Sequence, residues 1–313
     1  MLPNPILSTP RFTGVRLTVS APARQWMSPT GEIDWALHER AQASLLSLGF
    51  DTTWMGGCFL EDRRFAGDDA TRAQDLMAAL TQVPTDLYMA MRGGWGVARL
   101  FDRLHWEALA QSTVPVVGYS DVTALNLALL AQVHRTSWQG PTVRDLIDPD
   151  PMTLEGVEMI LGRRPWRVAW ESPATAPKAF ACEGVLWGGN LSVLVSLLGT
   201  PYFPRIEGGI LFIEDIGEAA YRIDRLLMQL YWAGVLGKQQ AVLVGDCQGA
   251  DRAVAWAGDL TLASVLAEAR ARTGIPFIEG LPFGHVHAKV SLPVGERVAL
   301  RVSAGQVTLE RAN

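Results

Sequence analysis

Short apolar runs alternate along this chain with longer amphipathic stretches, and this alternation restricts the fold more than any other feature. It is the pattern of βαβ units, whose parallel strands need a crossover helix and whose sheet must be covered by helices. In the first half, residues 15–20, 87–91 and 114–117 read as strands, and 33–48, 70–80 and 121–132 as helices. From about 141 to 177 the pattern loosens into Asp148-Pro-Asp-Pro151 and Glu171-Ser-Pro-Ala-Thr-Ala-Pro177, the composition of a connector. Beyond it, residues 184–186, 210–213 and 241–244 read as strands and 218–233 and 260–271 as helices, with β-like runs after His285. The expected architecture is a two-domain α/β protein. An N-terminal domain (1–150) has a mainly parallel sheet flanked by helices, a linker spans 151–179, and a smaller C-terminal α/β domain covers 180–313.

The bulk composition bounds the partners. With 313 residues, 49% hydrophobic and 19% charged, the chain can bury a large core. A net charge of −5 argues against nucleic acid or an anionic membrane as the main partner, since both call for a basic surface. No run approaches the roughly 20 apolar residues of a membrane span, and the opening Met1-Leu-Pro-Asn-Pro lacks an export pattern. Cys58, Cys182 and Cys247 are odd in number and widely spaced, as free thiols in a reducing compartment would be. The expectation is a cytoplasmic protein acting on a small polar substrate, with no cofactor.

One serine stands where a strand stops and a helical pattern begins: Val114-Pro-Val-Val-Gly-Tyr-Ser120-Asp-Val-Thr-Ala124. That position puts a hydroxyl at the carboxyl end of a strand and on a helix N-terminus, whose amides can stabilise an oxyanion. Serine is also a common helix cap, and the segment lacks the last glycine of the G-x-S-x-G elbow, so partners must decide. A nucleophilic serine needs a base, and the base needs an orienting carboxylate. Among five histidines, His285 follows the Gly/Pro loop Gly280-Leu-Pro-Phe-Gly, where functional side chains are commonly displayed. In Glu214-Asp215-Ile-Gly-Glu218, Asp215 and Glu218 have the spacing of a reciprocal helix cap, which leaves Glu214 as the orienter. His285 and His287 also form a His-x-His pair, but no further ligand has usable spacing, so no metal is expected.

The glycine turn in Met91-Arg92-Gly93-Gly94-Trp95-Gly96 follows a strand without matching a dinucleotide fingerprint. Amides of Gly93, Gly94 and Asp121 could together form an oxyanion hole. Arg92 and Arg222 are candidates for holding a substrate carboxylate. Trp187 and Asn190, at the expected opening of a helix, are candidates for lining the peptide cleft, although Asn190 could be only an N-cap. Trp54, Trp95 and Trp138 could wall the same cleft.

Six motifs are distinctive together: Arg92-Gly-Gly-Trp-Gly, Gly118-Tyr-Ser-Asp, Trp187-Gly-Gly-Asn-Leu, Gly199-Thr-Pro, Glu214-Asp-Ile-Gly-Glu-Ala-Ala-Tyr-Arg-Ile-Asp-Arg225 and Gly280-Leu-Pro-Phe-Gly-His285. In their order and spacing, from about Leu17 to Arg301, the chain resembles the LD-carboxypeptidase, or muramoyltetrapeptide carboxypeptidase, family of serine peptidases. The resemblance implies Ser120 as nucleophile, Glu214 as triad carboxylate and His285 as base, with Asp121 and the Gly93-Gly94 turn at the oxyanion positions. It further implies a site in the inter-domain cleft, a homodimer, and release of terminal D-alanine from the murein tetrapeptide during wall recycling in the cytoplasm. One departure is the stretch Glu218-Ala-Ala-Tyr221, where family members often carry proline. Other readings stay open: a microcin-immunity-like peptidase acting on a peptide-nucleotide or acylated amino acid, a metal-dependent hydrolase using His285 and His287, or a non-catalytic peptide-binding protein.

Overall fold

The computed structural model describes residues 10–173, 176–256 and 258–312. Residues 1–9, on which the absence of an export pattern is read, and residues 174–175 of the expected linker lie outside the described residues.

The first half builds a six-stranded sheet. Strand β1 (Arg16–Ser20) leads through α1 (Trp35–Leu48) to β2 (Asp51–Trp54), and α2 (Asp69–Thr81) returns the chain to β3 (Leu87–Ala90). Then come α3 (Trp106–Gln111), the short β4 (Val116–Val117), α4 (Thr123–Val133) and β5 (Ser137–Gln139). β2, β1, β3, β4 and β5 lie side by side and parallel, as the alternation predicts. β3 sits between β1 and β4, and all four of its residues are buried, which suits its uninterrupted Leu-Tyr-Met-Ala. Helix starts follow their side chains: the Asp34 carboxylate accepts from the Leu37 amide and that of Asp68 from Thr71.

α4 departs from a simple amphipathic helix. Residues 123–130 are all buried, because α4 packs on β5 on one side and on the second half of the chain on the other. Its nearly uniform Thr-Ala-Leu-Asn-Leu-Ala-Leu-Leu is the composition of a helix covered all round.

The segment expected to be a linker holds two elements, α5 (Pro151–Ile160) and β6 (Arg167–Glu171). α5 is started by Asp150, whose carboxylate accepts from the Met152 amide, and by Pro151 at its first turn. The Asp-Pro-Asp-Pro run therefore opens a helix.

The second half continues with β7 (Ala179–Asn190), α6 (Leu191–Ser196), β8 (Ile210–Ile216), α7 (Ala220–Trp232), β9 (Ala241–Gln248), α8 (Leu262–Thr273) and β10 (Phe277–Glu279). It closes with β11 (Leu292–Val294), β12 (Arg297–Ser303) and β13 (Gln306–Arg311). Seven strands form the second sheet in the order β10-β9-β8-β7-β12-β13-β6. β7 to β10 pair in parallel, and β12, β13 and β6 add an antiparallel flank. Residues 187–190, expected to open a helix, instead end β7, and the helix starts at Leu191.

β11 does not join this second sheet. It pairs antiparallel with β5, as the sixth strand of the first sheet, before the chain crosses back to β12. The connection from β10 to β11 thus runs from one sheet to the other, and it carries His285. Among the described residues, no helix is long and apolar enough to cross a membrane.

Candidate active site

Ser120 lies directly after β4, at the first residue of a tight helical turn that runs into α4. Its φ is +60°, a left-handed conformation that costs a non-glycine residue free energy and persists only where the surroundings impose it. Gly93 packs on it so closely that a Cβ there would stand 2.7 Å from the Ser120 Cβ and 3.0 Å from its Oγ. Glycine is required at 93 by this approach.

Glu214 lies near the end of the buried run of β8, next to Asn190 at the end of β7, with which it is in parallel register. Both sit at the carboxyl ends of neighbouring parallel strands, where open α/β sheets put their clefts. Glu214 is fully buried. Its Oε1 accepts from Asn190 Nδ2 at 3.1 Å, and its Oε2 lies 2.8 Å from His285 Nδ1. The other ring nitrogen, Nε2, is 3.1 Å from Ser120 Oγ. A carboxylate can only accept, so the imidazole proton belongs on Nδ1 and Nε2 is left to accept the serine hydroxyl. Such a chain can pass the hydroxyl proton to the ring while the carboxylate stabilises the resulting imidazolium. The sequence-predicted serine, acid and histidine thus come together from the first sheet, the second sheet and the connection between them.

Two further networks hold this geometry. The Asn190 side chain also donates to Asp215 Oδ1 at 3.0 Å and caps α6 by accepting from the Val193 amide, and its own amide donates to Thr123 Oγ1 at 3.1 Å. Thr123 begins α4, so Asn190 joins the acid's strand to the serine's helix. On the other side, the Tyr119 ring lies 4.9 Å from the His285 ring, with the Lys289 ammonium 4.7 Å from the Tyr119 centroid. Lys289 is buried and ion-paired to Asp145, which also accepts from the Tyr119 hydroxyl. Burial, and then the Asp145 and Glu214 charges, push the Tyr119 phenol far above its usual range, so it stays neutral. Sequence reasoning missed Tyr119 and Lys289; the first lies inside a motif read only for its serine, and the second sits in Val-His-Ala-Lys-Val with no pattern to mark it.

The Asp121 side chain has a task apart from its backbone. It is buried, accepts from the Val97 amide at 3.0 Å, and so fastens the end of the Gly93–Gly96 loop beside Ser120. Burial pushes its carboxyl up to about 6, opposed by the Val97 amide and the Arg72 guanidinium. Arg72 supports the same loop by donating to the carbonyls of Pro22 and Gly96 at 2.6 and 3.2 Å.

Two models for halves of one family match the chain, the LD-carboxypeptidase N-terminal domain over residues 19–140 and the LD-carboxypeptidase C-terminal domain over residues 183–300. The chain belongs to the LD-carboxypeptidase family. It is accordingly a peptidase. Its structure is similar to that of a muramoyltetrapeptide carboxypeptidase from Oxalobacter formigenes, with a TM-score of 0.83 and 35% identity over 95% of this chain and 99% of that one. A Streptomyces coelicolor protein named as a carboxypeptidase is 33% identical over 310 residues, 95% of this chain and 94% of the relative. The murein tetrapeptide carboxypeptidase of Pseudomonas aeruginosa is 29% identical over 254 residues, 76% and 80% of the two chains.

Not every expected residue of this LD-carboxypeptidase is free to meet a peptide. Trp187 is wholly buried, donates to Gln239 Oε1 at 2.9 Å and packs edge-on against Phe203, so it has no surface to offer. Asn190 is buried and engaged as described. The Arg92 guanidinium donates to the carbonyls of Gly93 at 3.0 Å and Gln25 at 3.4 Å. Arg222 is exposed and paired with Glu218 at 3.5 Å. Asp215 does not cap α7, whose N-cap is Ala219; it belongs to β8 and accepts from the Ser192 amide and hydroxyl on α6. The spacing to Glu218 misled because β8 continues through Asp215. Trp138 is buried in β5, Trp54 packs with Trp26, His38 and Phe59, and Trp95 is exposed beside Gly94. His285 and His287 lie in a bend, where strand alternation does not apply, and among the described residues no group of three or more His, Cys, Asp or Glu is placed to hold a metal.

Proposed function

We propose that this LD-carboxypeptidase hydrolyses the bond that releases terminal D-alanine from the murein tetrapeptide L-Ala-D-Glu-meso-diaminopimelate-D-Ala, as a homodimer in cytoplasmic wall recycling. The observation that carries this reading is the unbroken Ser120–His285–Glu214 hydrogen-bond chain, and the names of the relatives supply the substrate class.

In the first half-reaction Ser120 Oγ attacks the scissile carbonyl while its proton moves to His285 Nε2, and buried Glu214 stabilises the imidazolium through Nδ1. The amide of Asp121 and those of the Gly93-Gly94 turn face the developing oxyanion; donors of this kind are worth about 3–4 kcal/mol each where they have been removed singly. The tetrahedral intermediate collapses as Nε2 gives its proton to the leaving amine of D-alanine. Water then attacks the acyl-enzyme, passes a proton to His285 and restores the Ser120 hydroxyl.

Incubation with the tetrapeptide, followed by mass spectrometry, should show loss of one alanine residue as free alanine appears. Unchanged tetrapeptide would sink the reading. Ser120→Ala should lower kcat by at least about 10⁴-fold, and equal turnover by that variant would exclude Ser120 as the nucleophile.

A further inference from the structure

A carboxypeptidase must recognise the free carboxylate of the residue it releases, and the two arginines expected to do so are otherwise engaged. Arg92 spends its donors on backbone carbonyls, and Arg222 leans on Glu218 at the start of α7. The glycine turn leads to a different pair. Gly93 lies against Ser120, and the next residue, Gly94, lies against Arg24, where a Cβ would stand 2.6 Å from Cδ and 2.7 Å from Cγ. The turn is therefore one residue wide between the serine and the Arg24 side chain. A released amino acid is also one residue long, about 3.3–3.6 Å of extended chain.

Arg24 does not stand alone. Its guanidinium lies 5.4 Å from the centroid of Trp95, and that of Arg64 lies 4.4 Å from the same ring, so one exposed indole carries two cations. The backbones of Arg24 and Phe65 are bridged, and the Gln25 amide donates to the Arg64 carbonyl, which fixes the two arginines as neighbours. Among the described residues, neither they nor Arg92 enter an ion pair, and Arg24 Nε is buried without a hydrogen-bond partner. Burial, and then the Arg64 charge, lower the Arg24 pKa, and burial, with the Arg24 and Arg144 charges, pushes Arg92 down to about 10. In a chain of net charge −5, arginines gathered without an acidic partner among the described residues favour an anionic group. Stacking on Trp95 holds the guanidinium planes while leaving N–H groups free to fork onto a carboxylate.

We infer that Arg24 and Arg64, seated on Trp95, form the subsite that takes the C-terminal carboxylate of the leaving amino acid, and thereby confine the enzyme to the last peptide bond. This assignment rests on the peptidase reading above. Arg92 adds positive potential near Arg24 and braces the turn through the Gly93 carbonyl.

The test compares the murein tetrapeptide with its C-terminal carboxamide, measuring kcat and KM for wild type, Arg24→Gln and Arg64→Gln. Wild type should prefer the free acid by about 100-fold in kcat/KM, the scale of charge-assisted hydrogen bonds. Each substitution should cut that preference about 10-fold, mostly by raising KM for the acid, and Arg64→Lys should retain part of it. Arg64 is exposed, so its variant carries the test even if Arg24→Gln fails to fold. Unaltered acid-over-amide preference in both variants, or equal use of acid and amide by wild type, would overturn the assignment. Turnover of neither peptide by wild type would overturn the murein reading and this subsite with it.

Discussion

At the scale of single residues, the site is held by side chains that never touch substrate. Asn190 is the clearest of these: it binds Glu214, caps α6 and hangs from Thr123. Asn190→Ala should lower kcat about 10- to 100-fold with little change in KM, because it frees the carboxylate that orients His285; steady-state kinetics on the tetrapeptide would show this split. Gly93→Ala should cut kcat at least about 100-fold, since its methyl would displace the Ser120 side chain; a normal far-ultraviolet spectrum would separate this from unfolding. Asp121 gives a pH signature. Its folded carboxyl is raised to about 6 against about 3.8 unfolded, so the folded state binds the proton more tightly. The associated stability is complete below about pH 4 and is lost as pH rises through about 6, roughly 3 kcal/mol in all. Wild type should therefore lose stability relative to Asp121→Asn between pH 4 and 6 and run parallel to it above 7, as urea unfolding at several pH values would reveal.

At the scale of elements, what could be read from the chain was local. Strands β1, β3, β8 and β9 and helix α7 carry their own periodicity, helices α1, α2 and α8 their own caps as well, and the turn at Ser120 is written in consecutive residues. The short strands β2, β5 and β10, and the edge strand β6, take their identity from partners distant in sequence, and apolar pattern alone does not announce them. The same holds for Arg24 and Arg64, ordinary surface arginines until the fold sets them on Trp95. The β10–β11 connection is held by buried Lys289, which pairs with the partly buried Asp145. Lys289→Met should destabilise the protein by about 1–3 kcal/mol, because it leaves the Asp145 carboxylate without its partner; denaturant unfolding would measure it. The same variant should loosen His285 through Tyr119 and lower kcat in the fraction that remains folded.

At the scale of the whole molecule, large aromatic surface remains uncovered: Trp232 is 78% exposed at the end of α7, and Trp256 is 66% exposed. If the two rings belong to one continuous apolar face, that face is the place to look for a contact surface. The proposed homodimer should appear as about twice the 34.1 kDa chain mass in light scattering, and Trp232→Glu with Trp256→Glu should shift it to monomer. A dimer unaffected by both changes would place the interface elsewhere.

The strand β11 has a consequence for how the protein is made. The first sheet takes its sixth strand from residues 292–294, so a chain emerging from the ribosome holds an open edge at β5 until those residues have been synthesised. His285 is delivered by that same late segment. A nascent chain that has not yet reached these residues thus presents Ser120 without its proposed base and an edge prone to pairing with other chains, and the triad comes together only when β11 docks. Topology alone makes assembly of the proposed triad wait for β11.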